Sequence, residues 1–207
     1  YLGQPFDIHG GGVENKFPHH ECEIAQAEAA TGQEFARYWL HNGMLMIRGE
    51  EMHKSLGNFM TLEQAFERWH PLVIRFFVLL SHYRGPLDLT EEAVDAAAKG
   101  LERLWSVVRA TRRRLASAPE GDVPADLTAV LEKGRQQFKE SMDDDLNTPG
   151  GIAALFELTR EINSRLSQAT LLSREAQQAI DALYTSLAGD VLGVLPTDLE
   201  VSAGSEL

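Results

Sequence analysis

The stretch Asp7–Glu23, DIHGGGVENKFPHHECE, constrains the fold of this chain more than any other. Asp7-Ile8-His9 reads as the end of a short buried strand that runs into Gly10-Gly11-Gly12. Consecutive glycines let a backbone come close to a ligand, because no Cβ stands in the way. After Phe17-Pro18 the pattern changes to a helix start, where proline fits because its missing N–H is not needed. The helix is expected to end near Thr31-Gly32. His19 and Glu23 lie four residues apart and share one helix face. Imidazole and carboxylate there supply half of a zinc donor set. The bland reading of the same residues is a surface helix start with two histidines near its cap, since two ligands rarely hold zinc.

A second stretch, Gly49–Asn58, reads GEEMHKSLGN. It places Lys54 and Ser55 in a loop between a short apolar strand, Met44–Ile47, and a helix opening at Thr61. A lysine in such a loop can meet a polyphosphate as a mobile point charge. Phe35–Leu40 is expected to form another short helix.

The rest of the chain turns helical. Thr61-Leu62-Glu63-Gln64 has the spacing of a capping box. Pro71–Ser81 is apolar enough to be buried nearly all round. Thr90-Glu91-Glu92 starts a long helix with Ala97, Leu101, Leu104, Val108 and Leu115 on one face, broken by Pro119–Pro124. A second helix spans about 125–142, and a third starts at Asn147-Thr148-Pro149 with Ile152, Leu155, Phe156, Leu158 and Ile162 inward. Ser173 caps a fourth, which carries Ile180, Leu183, Leu187 and Val191. Four helices with short connections predict an antiparallel bundle. Trp39, Trp69 and Trp105 are read as packing residues. The tail 197–207, small and polar, is expected to be disordered.

With 207 residues, 43% of them hydrophobic and 24% charged, the chain suits one large or two small globular domains. No apolar run reaches the length of a membrane span, and no leader opens the sequence, so no membrane partner is expected. The single cysteine excludes an internal disulfide framework and fits a cytoplasmic setting. A net charge of −12 argues against a general RNA-binding surface. Arg109, Arg112, Arg113 and Arg114 form the one basic run, and a solvated helix end is its simpler reading.

The motifs, taken in order, resemble class I aminoacyl-tRNA synthetases, and specifically the cysteinyl-tRNA synthetases. Asp7–Gly12 is similar to that family's adenylate-site HGG segment. Phe17–Gln26, FPHHECEIAQ, is similar to its FPHHENEIAQ zinc helix, and Glu51–Ser55 to its KMSKS loop. Ser81–Asp88 and Met142–Pro149, MDDDLNTP, continue the likeness. Met142–Pro149 reads on its own chemistry as helix-end acids and a cap before proline, not as a metal site.

The resemblance implies an α/β fold followed by an all-α one. Residues 1–60 would be the C-terminal half of a Rossmann-like catalytic domain, 61–88 connecting helices, and 89–196 a DALR-type bundle. Leu72-Val73-Ile74-Arg75 stands where the family has its DALR segment. It implies ATP-dependent activation of cysteine and transfer to tRNA(Cys). His9, Gly10 and Gly11 would line the adenosine side of ATP. Lys54 would be catalytic, neutralising charge on pyrophosphate. His19 and Glu23 would be two ligands of a zinc that holds the cysteine thiolate.

Glu51 replaces the family's first loop lysine, His53 its first serine, Glu14 a common aspartate, and Cys22 an asparagine. The HIGH signature, two upstream cysteine ligands and the anticodon module have no counterpart in these residues. The isolated chain is therefore expected to lack full aminoacylation activity and to hold an incomplete zinc site. Three alternatives stay open: the related ligase that joins cysteine to an amino-sugar in thiol biosynthesis, a non-catalytic truncated paralogue acting as a helical interaction module, and an excised piece of an intact active enzyme. An exposed sheet edge predicts self-association.

Overall fold

The computed structural model describes residues 3–52, 59–167, 171–196 and 198–199. It divides into two compact units, Tyr1–Phe59 with Tyr83–Thr90, and Met60–His82 with Glu91 onward.

The first unit is built on a strand–helix–strand crossover. Strand β1 (Phe6–Gly12) pairs in parallel with β2 (Ala36–Asn42), in register from Phe6 opposite Ala36 to Gly12 opposite Asn42. Helix α1 (His19–Thr31) connects them. It ends at Gly32, whose φ of +67° reverses the chain while its N–H bonds Glu28 O at 2.8 Å. A smaller sheet has β3 (Leu45–Ile47) at its centre. The strand β4 (Glu50–Glu51) lies antiparallel to it, and Leu87–Asp88 of the returning segment lies parallel to it. Gly43 N–H donates to Tyr83 O at 2.7 Å, and a Cβ on Gly43 would collide with the Gly85 carbonyl. Only glycine allows that approach of two backbones.

Two expectations change here. Phe35–Leu40 does not form a helix; residues 36–42 are β2. Six residues are too few to hold a helix alone. Tyr38 and Trp39 favour a pleated surface, and pairing with β1 uses the backbone bonds a helix would have used. Nor is β1 buried on both faces. Ile8 is 64% exposed beside its strand neighbour Tyr38 at 66%, while His9 on the opposite face bonds α1.

The second unit holds the apolar core. Helix α2 (Leu62–Arg68) carries the predicted capping box: Gln64 N–H donates to Thr61 Oγ1 at 3.1 Å, and Thr61 N–H to Gln64 Oε1 at 2.9 Å. In α3 (Pro71–Leu79), Val73, Phe76 and Phe77 are buried but Val78 and the following Leu80 are exposed, so burial is a stripe and not all round. That stripe packs on α4 (Glu91–Leu115). The remaining helices are α5 (Ala125–Asp143), α6 (Thr148–Leu166) and α7 (Arg174–Tyr184). Asn147 and Ser173 cap α6 and α7 through Gly150 N–H at 3.0 Å and Ala176 N–H at 3.2 Å. Leu101, Leu104, Leu155, Ile162, Ile180 and Leu183 are almost wholly buried between them.

A π-helical turn, Thr185–Val191, follows α7 and shifts its phase. Val191, expected inside, is half exposed, and Leu192 and Val194 are buried instead. Trp105 Nε1–H donates to Val194 O at 2.8 Å, and Arg75 Nε–H to Leu192 O at 2.7 Å. Three of the four basic-run arginines serve this unit internally. Arg109 pairs with Glu102, Arg112 with Asp181 at 2.7 Å, and Arg114 bonds Leu166 O at 3.2 Å. Thr148 Oγ1 donates to Leu79 O at 2.8 Å, which ties the Met142–Pro149 corner to α3. Among the described residues no helix is long and apolar enough to cross a membrane.

Candidate functional site

The densest chemistry lies in the first unit, on the α1 side of the β1–β2 pair. The period-two alternation of a strand sends His9 to this side and Ile8 to the other. Register then sets Trp39 beside His9 and His41 beside Gly11. From α1, His20 and Glu23 meet them. His9 Nε2 and Glu23 Oε2 are 2.9 Å apart, and His20 Nδ1 and His41 Nε2 are also 2.9 Å apart. The rings of His9 and His20 meet edge to face at 4.9 Å, and Trp39 stacks parallel to His41 at 6.2 Å. His20 is 4% exposed, the most enclosed ionisable group of this unit among the described residues.

The glycines explain how the parts fit. A Cβ on Gly11 would stand 3.1 Å from both Asn15 Nδ2 and His20 Cε1, and one on Gly10 would stand 3.1 Å from Leu40 O. Both contacts are tight, so small residues let His20 and β2 close on β1. The space the glycines free is taken up by the chain's own atoms.

The His20–His41 bond needs one ring to donate and the other to accept, so both cannot be charged together. Burial pushes the His41 imidazole below the usual histidine value, and positive charge on Lys16, His20, Arg84 and His9 pushes it the same way.

His9, His20 and Glu23 offer ligand atoms that all lie within 4.8 Å of one another. Two imidazoles and a carboxylate are a donor set that suits zinc. His19, the expected partner of Glu23, sits elsewhere on this rim. Its Nε2 is 3.8 Å from Glu23 Oε1, and its side chain is 65% exposed. Glu23 therefore turns one oxygen to His9 and the other to His19. His9, Gly10, Gly11, His19 and Glu23 thus gather in one region, whereas Lys54, His53 and Ser55 lie outside the described residues. Sequence reading missed His20 and His41. His20 is the second half of the His-His pair, and His41 was hidden in the segment expected to be helical. Cys22 is exposed and free.

Comparison with known proteins follows the same lines. Residues 1–99 match the model of the class I (C) tRNA synthetase catalytic domain, and residues 137–196 match the DALR domain. A cysteine–tRNA ligase of Chlorobium chlorochromatii is 47% identical over all of this chain and 42% of its own length. One from Chlorobaculum tepidum is 47% identical over 99% of this chain and 40% of its own. The chain thus spans about two fifths of the curated relatives it matches. Among solved structures, the agnB2 LeuRS of Agrobacterium radiobacter K84, in ternary complex with tRNA and LeuAMS, superposes with a TM-score of 0.69. It covers 88% of this chain and 25% of its own at 18% identity, a likeness of fold. Catalytic-domain model, DALR model and end-to-end relatives agree, and the chain belongs to the cysteine-type class I tRNA synthetase family.

Proposed function

We propose that this chain forms part of a cysteine–tRNA ligase, which activates cysteine with ATP and transfers it to tRNA(Cys) in the cytoplasm. The observation that carries this reading is the end-to-end match to cysteine–tRNA ligases at 47% identity. In such a reaction the cysteine carboxylate attacks the α-phosphate of ATP and pyrophosphate leaves. Lys54 would neutralise the charge that builds on the leaving group. His9, Gly10 and Gly11 would border the adenosine.

Glu23 supports a zinc role, because its two oxygens address two histidines on different elements. On this reading His19 and Glu23 hold zinc, and His9 and His20 stand close enough to join or orient that set. Zinc, when bound, would hold the cysteine thiolate and so separate cysteine from serine. Ile8 and Tyr38, side by side on the open face of a two-stranded sheet, support self-association of the chain.

Calorimetry on the 207-residue chain tests the reading. ATP binding should weaken about tenfold in Lys54→Ala, the effect of losing one charge-assisted contact. Zinc binding should weaken at least as much in Glu23→Gln. Failure of the parent chain to bind ATP, or binding untouched by Lys54→Ala, counts against the nucleotide role. Zinc affinity unchanged in Glu23→Gln counts against the metal role.

A further inference from the structure

The indole of Trp39 meets three imidazoles of the first unit. Strand register puts it beside His9, with ring centres 4.8 Å apart. His41, two residues further along β2 and on the same face, lies parallel to it, with 9° between the planes and 6.2 Å between centres. His20, from α1, lies 5.2 Å away. Phe35 joins the cluster, 5.9 Å from Trp39 and 5.2 Å from His9. Both hydrogen bonds of the histidine set start from rings that Trp39 touches: His9 to Glu23 at 2.9 Å, and His20 to His41 at 2.9 Å. An imidazole turns about a broad, two-fold torsion, so its covalent geometry does not choose which nitrogen faces a partner. The choice falls to packing. Apolar packing is thin in this unit, where only Ala36 and His20 among the described residues are exposed by less than a tenth. Ring against ring is the main packing that these imidazoles have.

We infer that Trp39 is a positioning residue: its ring holds the imidazoles of His9, His20 and His41 in the orientations that bring ligand atoms of His9, His20 and Glu23 within 4.8 Å of one another. Trp39 gives the set no metal-binding atom of its own and acts through the three rings, as outer groups do around a metal. A flat aromatic surface suffices for this, so phenylalanine keeps the effect and leucine loses it. The role towards zinc rests on the zinc reading above, whereas the hold on the imidazoles does not.

The test follows the imidazole N–H signals of the full, metal-free 207-residue chain by proton–nitrogen NMR at about pH 8, above the usual histidine value. Calorimetry with zinc follows on the same samples. In the parent, the proton of the His20–His41 bond should be sheltered from exchange. Trp39→Leu should lose that signal and bind zinc about tenfold more weakly, with the amide pattern of β1, β2 and α1 kept. Trp39→Phe should keep the signal and bind zinc within about twofold of the parent. A Trp39→Leu chain with the parent's imidazole signals overturns the positioning role, and so does a parent without the sheltered proton. Equal losses in Trp39→Phe and Trp39→Leu overturn it too. So does collapse of the amide pattern in Trp39→Leu, which makes Trp39 an ordinary packing residue. A lost signal with zinc affinity unchanged keeps the hold on the imidazoles and overturns the role towards zinc. A parent that binds no zinc overturns the zinc reading and leaves the imidazole signals to decide on Trp39.

Discussion

The two units of this molecule are stabilised in different ways. Among the described residues, the first unit buries only Ala36 and His20 below a tenth of their surface. The second buries an apolar core drawn from α3 to α7 and the turn beyond. Apolar burial is worth about 25 cal/mol per Å², so the bundle has a large driving force of its own. The first unit relies on a parallel strand pair, tight glycine contacts and a bonded set of histidines and one glutamate. Those are directional contacts, each worth about 1 kcal/mol net. Chemistry and stability are thus separated along the chain: the residues that can bind are held by few buried neighbours. Regions of that kind open locally at low cost.

The largest effect should come from the core. Ile162→Ala removes a side chain with no exposed surface and should cost the second unit about 3 kcal/mol in urea unfolding followed by circular dichroism. A cost below about 1 kcal/mol would mean that the bundle is not the rigid half.

Tyr184→Phe should have a smaller effect. The Tyr184 hydroxyl shares a 2.8 Å hydrogen bond with Thr159 Oγ1 in the core, and its loss should cost about 1 kcal/mol near neutral pH. Burial raises the Tyr184 phenol far above its ordinary value of 10.0, with the Thr159 bond acting weakly the other way. The folded state therefore keeps the proton while the unfolded chain releases it near pH 10. Stability of the parent is whole below that pH and falls as pH rises through and beyond it. The phenylalanine variant should lose that alkaline slope, and an unchanged slope would show that Tyr184 titrates freely.

The smallest stability effect belongs to the first unit's open face. Ile8→Ser should alter unfolding by less than about 0.5 kcal/mol, because that side chain is mostly in solvent. It should nevertheless reduce self-association seen by light scattering. A parent chain that stays monomeric at high concentration would remove the interaction role assigned to Ile8 and Tyr38.

Acid sharpens the same contrast. His41 is held below the ordinary 6.5, first by burial and then by nearby positive charge. Its contribution to folding is present above the unfolded value and is lost as pH falls through it towards the lower folded value. Below about pH 6.5 the first unit should therefore loosen before the bundle does, a difference that hydrogen exchange can read residue by residue.

Much of the bundle was legible in the sequence. Thr61 and Gln64, Asn147 and Ser173 announce helix starts through local hydrogen bonds that hold in the structure. The 3.6-residue spacing of Leu101, Leu104 and Val108 marks a face that is indeed buried. Val191 was misread because a π-helical turn breaks that spacing just before it. In the first unit, β2 was misread because a strand of seven residues has no local signal to match its pairing partner. Leu87–Asp88, two residues from the far side of α2 and α3, become a strand only because β3 is there to receive them.

The sequence by itself determined the helices and their caps, the position of the glycine run, and the one helix face shared by His19 and Glu23. Each depends on neighbours within four residues, where backbone geometry leaves little freedom. Tertiary structure alone decided that Glu23 also meets His9, fourteen residues away, and that His20 meets His41, twenty-one residues away. Those meetings depend on the parallel register of β1 and β2. A slip of one residue there would send His41 to the opposite face, and no local preference in the chain records which register wins.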